Sequence, residues 1–124
     1  MNVLRTSKIG EIGEEMACDF LRSRGHQILD RNWHAGHLEL DIISEASDGL
    51  HFIEVKARTS PVTSTVSDQV NAVKQKRISA AALQYLNKKN LGGKEVYFDI
   101  ISVLFDGKDT IVRYIPQAWI PMYV

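Results

Sequence analysis

The stretch from His37 to Arg58, HLELDIISEASDGLHFIEVKAR, is two apolar runs joined by a short polar turn. Glu39, Asp41, Glu54 and Lys56 are set into those runs. Strand interiors normally exclude such groups, because a half-buried charge must recover its lost hydration from a partner. Side chains alternate along a strand, which predicts Glu39, Asp41 and Ile43 on one face and Leu38, Leu40 and Ile42 on the other. On the second run Phe52, Glu54 and Lys56 share a face, opposite Ile53 and Val55. An antiparallel hairpin through Glu45-Ala46-Ser47-Asp48-Gly49, with odd residues opposite even ones, brings Asp41 beside Glu54 or Lys56. Leu40, Ile42, Ile53 and Val55 then make a continuous apolar side. The other register sets carboxylates against Ile53 and Val55, so burial selects the first.

Carboxylates this close repel and raise one another's pKa. A divalent cation relieves the repulsion most directly. Hard oxygen ligands favour Mg²⁺, with Mn²⁺ as substitute, and leave Lys56 beside the metal as a cationic helper. The plainer reading is a solvated face of ion pairs, Glu54 with Lys56 or Glu39 with Arg58. The apolar flanks Ile42-Ile43 and Phe52-Ile53 favour interior strands and the metal site over it.

The chain has 124 residues, 44% apolar and 24% charged, which fits one soluble domain with a modest core. No apolar run is long enough to span a bilayer, and the first residues, MNVLRTSKIGEIGEE, lack the apolar core of a secretory leader. A cytoplasmic address is therefore expected. The single Cys18 excludes an internal disulfide and gives no metal-ligand spacing. Net charge is zero, which argues against a general polyanion binder, but the distribution is uneven. Residues 11–54 hold ten of the fifteen acids, while residues 69–94 carry six basic side chains (Lys74, Lys76, Arg77, Lys88, Lys89, Lys94) and no acid. An acidic pocket for a cation beside a basic helix for phosphates suits phosphodiester chemistry. A merely solvated basic helix face accounts for the second half equally well.

Periodicity predicts the other elements. Ile9, Ile12, Gly13, Met16, Ala17 and Phe20 mark one face of a helix over 8–24, stopped by Gly25. Glu11, Glu14 and Glu15 fall in its first turns, where the helix dipole favours acids, and this accounts for Glu14 without a further role. Residues 26–33 form a short strand ending in a turn near Ala35-Gly36. His34 and His37 lack the companions a zinc site needs and read as polar loop residues. Residues 59–67 have loop composition, and their hydroxyls suit either phosphate contact or plain surface. A second helix spans 68–90, ended by Gly92-Gly93, with Ala80, Ala81 and Ala82 allowing close packing on a sheet. The apolar run 95–105 is a central strand, reached from the hairpin by a parallel crossover. Asp106-Gly107-Lys108-Asp109 turns into a hairpin partner over 110–115. The closing PQAWIPMYV is an apolar tail that either packs on the core or forms a dimer contact. The order helix, three strands, helix, strand and trailing strand gives an α/β fold with a mixed sheet.

Asp41, followed after twelve residues by Glu54-Val55-Lys56, resembles the PD-(D/E)xK superfamily of restriction-endonuclease-like nucleases on this element order. The wider set is Gly10-x-x-Gly13-Glu14-x-x-Ala17, Arg31-Asn32, Glu39-Leu40-Asp41-Ile42-Ile43, residues 52–58, Lys74-x-x-Arg77 and Tyr97-Phe98-Asp99. It is similar to the YraN-like family of predicted endonucleases, related in fold to archaeal Holliday-junction resolvases, over about residues 8–104. Leu38 stands where that family often has Gly, and Leu40 where the superfamily has Pro. Neither departure removes a ligand.

The resemblance implies a restriction-endonuclease-like three-layer core, α-β-β-β-α-β, in a single domain. It implies that Asp41 and Glu54 bind the metal, with the Val55 carbonyl as a further ligand. Lys56 matches the lysine that orients or helps deprotonate the attacking water. Glu14 matches a first-helix glutamate of resolvase-like members and so gains a catalytic and metal-binding role. Glu39 belongs to the family's E-x-D motif, its role open. The expected activity is Mg²⁺-dependent hydrolysis of DNA, with Arg58, Lys74 and Arg77 gripping the backbone. So small a domain has little room to read bases, which points to branched, flapped or single-stranded DNA and to a homodimer presenting two sites. Two other classes remain open: a nucleic-acid-binding module without turnover, and an interaction protein docking through its tail and charged face.

Overall fold

A computed structural model of the chain describes residues 6–60 and 70–120. Helix α1 (Thr6–Ser23) leads into β1 (Gln27–Ala35), β2 (Leu38–Ala46) and β3 (Gly49–Thr59). Helix α2 (Ala72–Lys88), β4 (Val96–Asp106) and β5 (Asp109–Trp119) complete the order. The strands form one mixed sheet in the order β1-β2-β3-β4-β5, antiparallel except for the β3–β4 pair. Helix α2 makes the crossover that this parallel pair requires.

Each face of the sheet has its own apolar core. On one, Ala17, Cys18 and Leu21 of α1 cover Ile42, Ile53, Ile101 and Val103. On the other, Ile78, Ala81, Ala82, Tyr85 and Leu86 of α2 cover Leu40, Ile43, Phe52, Phe98 and Ile100. Tyr85 is held by the rings of Trp33 and Phe52, with its hydroxyl donated to Asp30 at 2.7 Å. The result is the three-layer α/β arrangement expected.

The hairpin has the register that burial selects, Ile42 opposite Ile53 and Ile43 opposite Phe52. The face assignment fails at one place. Leu40 belongs to the α2 side and Ile42 to the α1 side, so the alternation slips at Asp41. Beside this slip, in the neighbouring strand β1, Asn32 sits at φ +49 between the pairs Arg31 with Ile42 and Trp33 with Leu40.

Several boundaries also differ from those predicted. Helix α1 begins at Thr6, leaving no acid in its first turn, so the dipole account of Glu14 lapses. Helix α2 begins four residues late because Asn71 caps it, accepting the Lys74 N–H at 2.9 Å. It ends through Asn90 at φ +56 rather than at the glycine pair, and the Leu91 N–H returns to the Leu86 carbonyl. Strand β5 runs on to Trp119, whose ring packs 5.3 Å from that of Phe98, so this part of the tail belongs to the core. The rest of the tail and most of the predicted hydroxyl loop lie outside the described residues.

Two details fix how tightly the layers meet. A Cβ on Gly13 would stand 2.5 Å from the Cβ of Ala57, so α1 lies directly on β3. At the hairpin end of β3, buried His51 binds Asp99 through Nδ1 at 2.6 Å and Asp48 through Nε2 at 2.7 Å. Both nitrogens meet carboxylates, so both must carry protons. Tyr114 Oη and the Gln117 N–H donate to the same Asp99, tying β3, β4 and β5 together.

Gly13→Ala is expected to destabilise the protein by about 1–3 kcal/mol, and Ala57→Gly added to it to restore much of the loss. Urea denaturation of the single and double variants measures both. Burial pushes the His51 pKa down, but the bonds to Asp99 and Asp48 outweigh it and leave the value raised above 6.5. Its contribution is therefore complete below pH 6.5 and lost as pH rises through the higher folded-state value. His51→Gln should cost about 2–4 kcal/mol at pH 6 and distinctly less at pH 9, as read from Tm across that range. A cost independent of pH would exclude the charged form.

Candidate functional site

The β2–β3 pairing stops at Ile42 and Ile53, one step short of Asp41 and Glu54. In place of a ladder bond, the Val55 N–H is taken by the Asp41 carboxylate at 2.9 Å. The strands part there, and the gap opens into a cavity of about 430 Å³. Glu14, Arg31, Asn32, Glu39, Asp41, Val55 and Ala57 are among its walls. Glu14 comes from α1, which can reach over the gap because Gly13 lets that helix rest on β3.

The acids are unevenly compensated. Burial pushes the pKa of Asp41 up, the charge of Glu54 adds to this, and Glu14 and Glu39 add more. The Val55 N–H pulls the other way, and the value stands at about 7. Glu14, nearly buried, accepts from Arg31 Nε at 3.1 Å and from Asn32 Nδ2 at 2.9 Å, while Arg31 Nη1 also reaches Glu15 at 2.7 Å. Glu54 keeps 8% of its side-chain exposure and is paired with Lys74 Nζ of α2 at 2.5 Å. Burial lowers the Lys74 pKa, but the bond to Glu54 and the charges of Glu54, Asp41 and Glu39 raise it more. One ammonium thus feels three carboxylates.

Asp41, Glu54, Glu39 and Glu14 are therefore brought into one neighbourhood, as are Lys74 and Val55. Lys56 and Arg58 follow Glu54 at alternate positions of β3, and Arg58 Nη2 stands 3.4 Å from Ser102 Oγ of β4. Glu54 pairs with Lys74 of α2, a partner the ion-pair reading of this stretch did not name. Arg77 lines a second cavity of about 380 Å³ with His37, Asn71 and Lys74, and Glu39 borders both cavities. His34 is an exposed residue of β1.

Among the described residues, no three acidic, imidazole or thiol groups stand together as a finished metal cage. The donor chemistry nonetheless suits Mg²⁺, which takes one or two carboxylates and keeps water on its other positions. Asp41 and Val55 line the cavity, and Glu54, whose charge acts on Asp41, is the second carboxylate that could hold such an ion.

Sequence reasoning left Arg31 and Asn32 without a role, and it put Lys74 on phosphate rather than on Glu54. The signal for the first pair was present, since a charged Arg-Asn within a strand needs an acidic partner. Nothing local pointed to the second.

A family model described as "Uncharacterised protein family UPF0102" matches residues 13–103. The chain belongs to this family. It is 39% identical over 110 residues to a UPF0102 protein of Myxococcus xanthus, covering 89% of this chain and 87% of that one. A UPF0102 protein of Dictyoglomus turgidum is 36% identical over 118 residues, 94% of this chain and all of the relative. One of Syntrophomonas wolfei is 37% identical over 112 residues, 90% and 97% of the two chains. The matched region of this UPF0102 chain holds Glu14, Glu39, Asp41, Glu54 and Lys74. Among its described residues no helix is long and apolar enough to cross a membrane.

A carboxyl raised from 3.8 to about 7 opposes folding once it is ionised. The penalty grows from pH 3.8 to about 7 and is constant above. In EDTA at pH 8, Asp41→Asn should therefore be more stable than wild type by about 1–3 kcal/mol, the gain vanishing towards pH 4. Asparagine still accepts the Val55 N–H, so a loss of stability at pH 8 would refute the assignment.

Proposed function

We propose that this protein is a divalent-metal-dependent endonuclease of the PD-(D/E)xK type, hydrolysing phosphodiester bonds in branched or single-stranded DNA. The observation that carries the reading is Asp41, a carboxyl pushed up to about 7 by burial and by Glu54 at the wall of a polar cavity. A site built only for stability gains nothing by holding acids against one another, whereas a cation site requires it.

Asp41, Glu54 and the Val55 carbonyl would hold the ion, with Glu14 joining them on release from Arg31 and Asn32. Bound Mg²⁺ or Mn²⁺ supplies Lewis-acid polarisation of a phosphoryl oxygen and a more acidic water. Lys56, two residues beyond Glu54 on β3, orients the attacking water and stabilises charge gathering on the phosphoryl oxygens. Arg77 and Lys74 on the adjoining cavity grip the flanking phosphates, with Arg58 behind them at the sheet. Glu39 lies on the border of the two cavities. Little surface remains for base contacts, so DNA shape selects the substrate, and a homodimer would present two such sites.

A second reading is a DNA-binding module without turnover. The Arg31–Glu14 and Lys74–Glu54 pairs favour it, because they already neutralise two of the acids.

Cleavage of four-way junction, flap and single-stranded DNA in Mg²⁺ separates the two readings. A nuclease loses at least about 10²-fold in rate with Asp41→Ala and with Lys56→Ala. Equal rates in wild type and variants would sink the nuclease. Salt-sensitive binding that survives Glu54→Ala, without cleavage by any preparation, would establish the binding module.

A further inference from the structure

We infer that Lys74 is the resident counter-ion of the carboxylate cluster, and that a divalent cation takes Glu54 from it and releases its ammonium into the adjoining cavity as a phosphate contact. This rests on the metal site proposed above and adds to it an exchange between two cations at one carboxylate.

Three observations support the exchange. Glu54 is almost buried, so its charge must be met by some cation, and Lys74 Nζ meets it at 2.5 Å. Lys74 itself is half exposed, at 52%, so its long side chain can leave without opening the core. It also has somewhere to go. Lys74 lines the cavity it shares with His37, Asn71 and Arg77, and that cavity meets the carboxylate cavity at Glu39. The Asn71 cap fixes the Lys74 backbone at the start of α2, so only the side chain need move.

The consequence is a coupling. With Lys74 on Glu54, the cluster has its neutralising charge and the phosphate cavity has one cation fewer. With a dication on Glu54, the same lysine adds to Arg77. Metal and DNA then favour each other's binding through a residue that touches both in turn. Lys74 is a positioning residue in this scheme, since it acts through Glu54 and the phosphate rather than on the reacting atoms.

Titration calorimetry with Mn²⁺ alone tests it on wild type, Lys74→Met and Lys76→Met. Lys76 stands on the same helix but lines a different cavity, with Trp119, and controls for a general loss of positive charge. Lys74→Met is expected to bind Mn²⁺ about tenfold tighter than wild type, and Lys76→Met to stay within about twofold. In wild type, acetylation of Lys74 by an amine-reactive ester should speed up severalfold when Mn²⁺ is added, while Lys88 and Lys89 are unchanged. This second measurement needs no variant to fold. Equal affinities for the two variants, or Mn²⁺ binding without faster Lys74 acetylation, would overturn the exchange and leave the metal site standing. No Mn²⁺ binding by any of the three proteins would overturn both. The expected affinities and acetylation without DNA cleavage would uphold the exchange and remove the nuclease.

Discussion

Where β2 and β3 stop pairing, Asp41 and Glu54 are left without a ladder partner across that pair, and the charge of Glu54 raises the pKa of Asp41. Two acids in that position must share a proton, borrow a cation or push the strands further apart. Much of the surrounding structure answers this one constraint. Gly13 brings α1 down onto Ala57, so that Glu14 lies over the gap and its own charge is absorbed by Arg31 and Asn32. Asn71 stops α2 at the point that leaves Lys74 above Glu54. Beside Asp41, in β1, Asn32 takes a left-handed backbone conformation.

The molecule holds a second buried polar cluster, and the contrast between them is informative. Asp99 is fully buried yet receives His51, Tyr114 and the Gln117 N–H, a set of donors from two strands beside its own. His51 in turn is met by carboxylates on both ring nitrogens. Charges and donors match there, and the cluster serves as a rivet between strands. Around Asp41 the charges of Glu54, Glu14 and Glu39 push its pKa up. Arg31 and Lys74 pair with the neighbouring acids Glu14 and Glu54 from exposed or half-exposed positions. A closed network stabilises a fold, whereas acids that raise one another's pKa mark a candidate functional site.

The family resemblance runs over nearly the full length of these relatives. The region matched by the family model covers the hairpin, the first helix from Gly13 and the basic start of α2, which are the parts that build the cleft. An apolar core lies under each helix, and Val55 and Ala57 join the cleft to the one under α1.

The sequence by itself determined the element order, the mixed sheet and the hairpin register. Each of these follows from alternation or helical spacing among residues close along the chain, where one wrong step would bury charge. Only the tertiary structure decided that Leu40 and Ile42 face opposite ways, at the point where Asn32 of the neighbouring strand takes a left-handed backbone. The extension of β5 through Gln117 to Trp119 likewise depends on Asp99, far back along the chain. The pairing of Lys74 with Glu54 is of the same kind: the partners are twenty residues apart, on a helix and a strand whose distance no periodicity encodes. Local spacing tells which side chains share a face. The partner that a buried charge finds across the layers is settled by three-dimensional distance, and the chemistry of this cleft lies there.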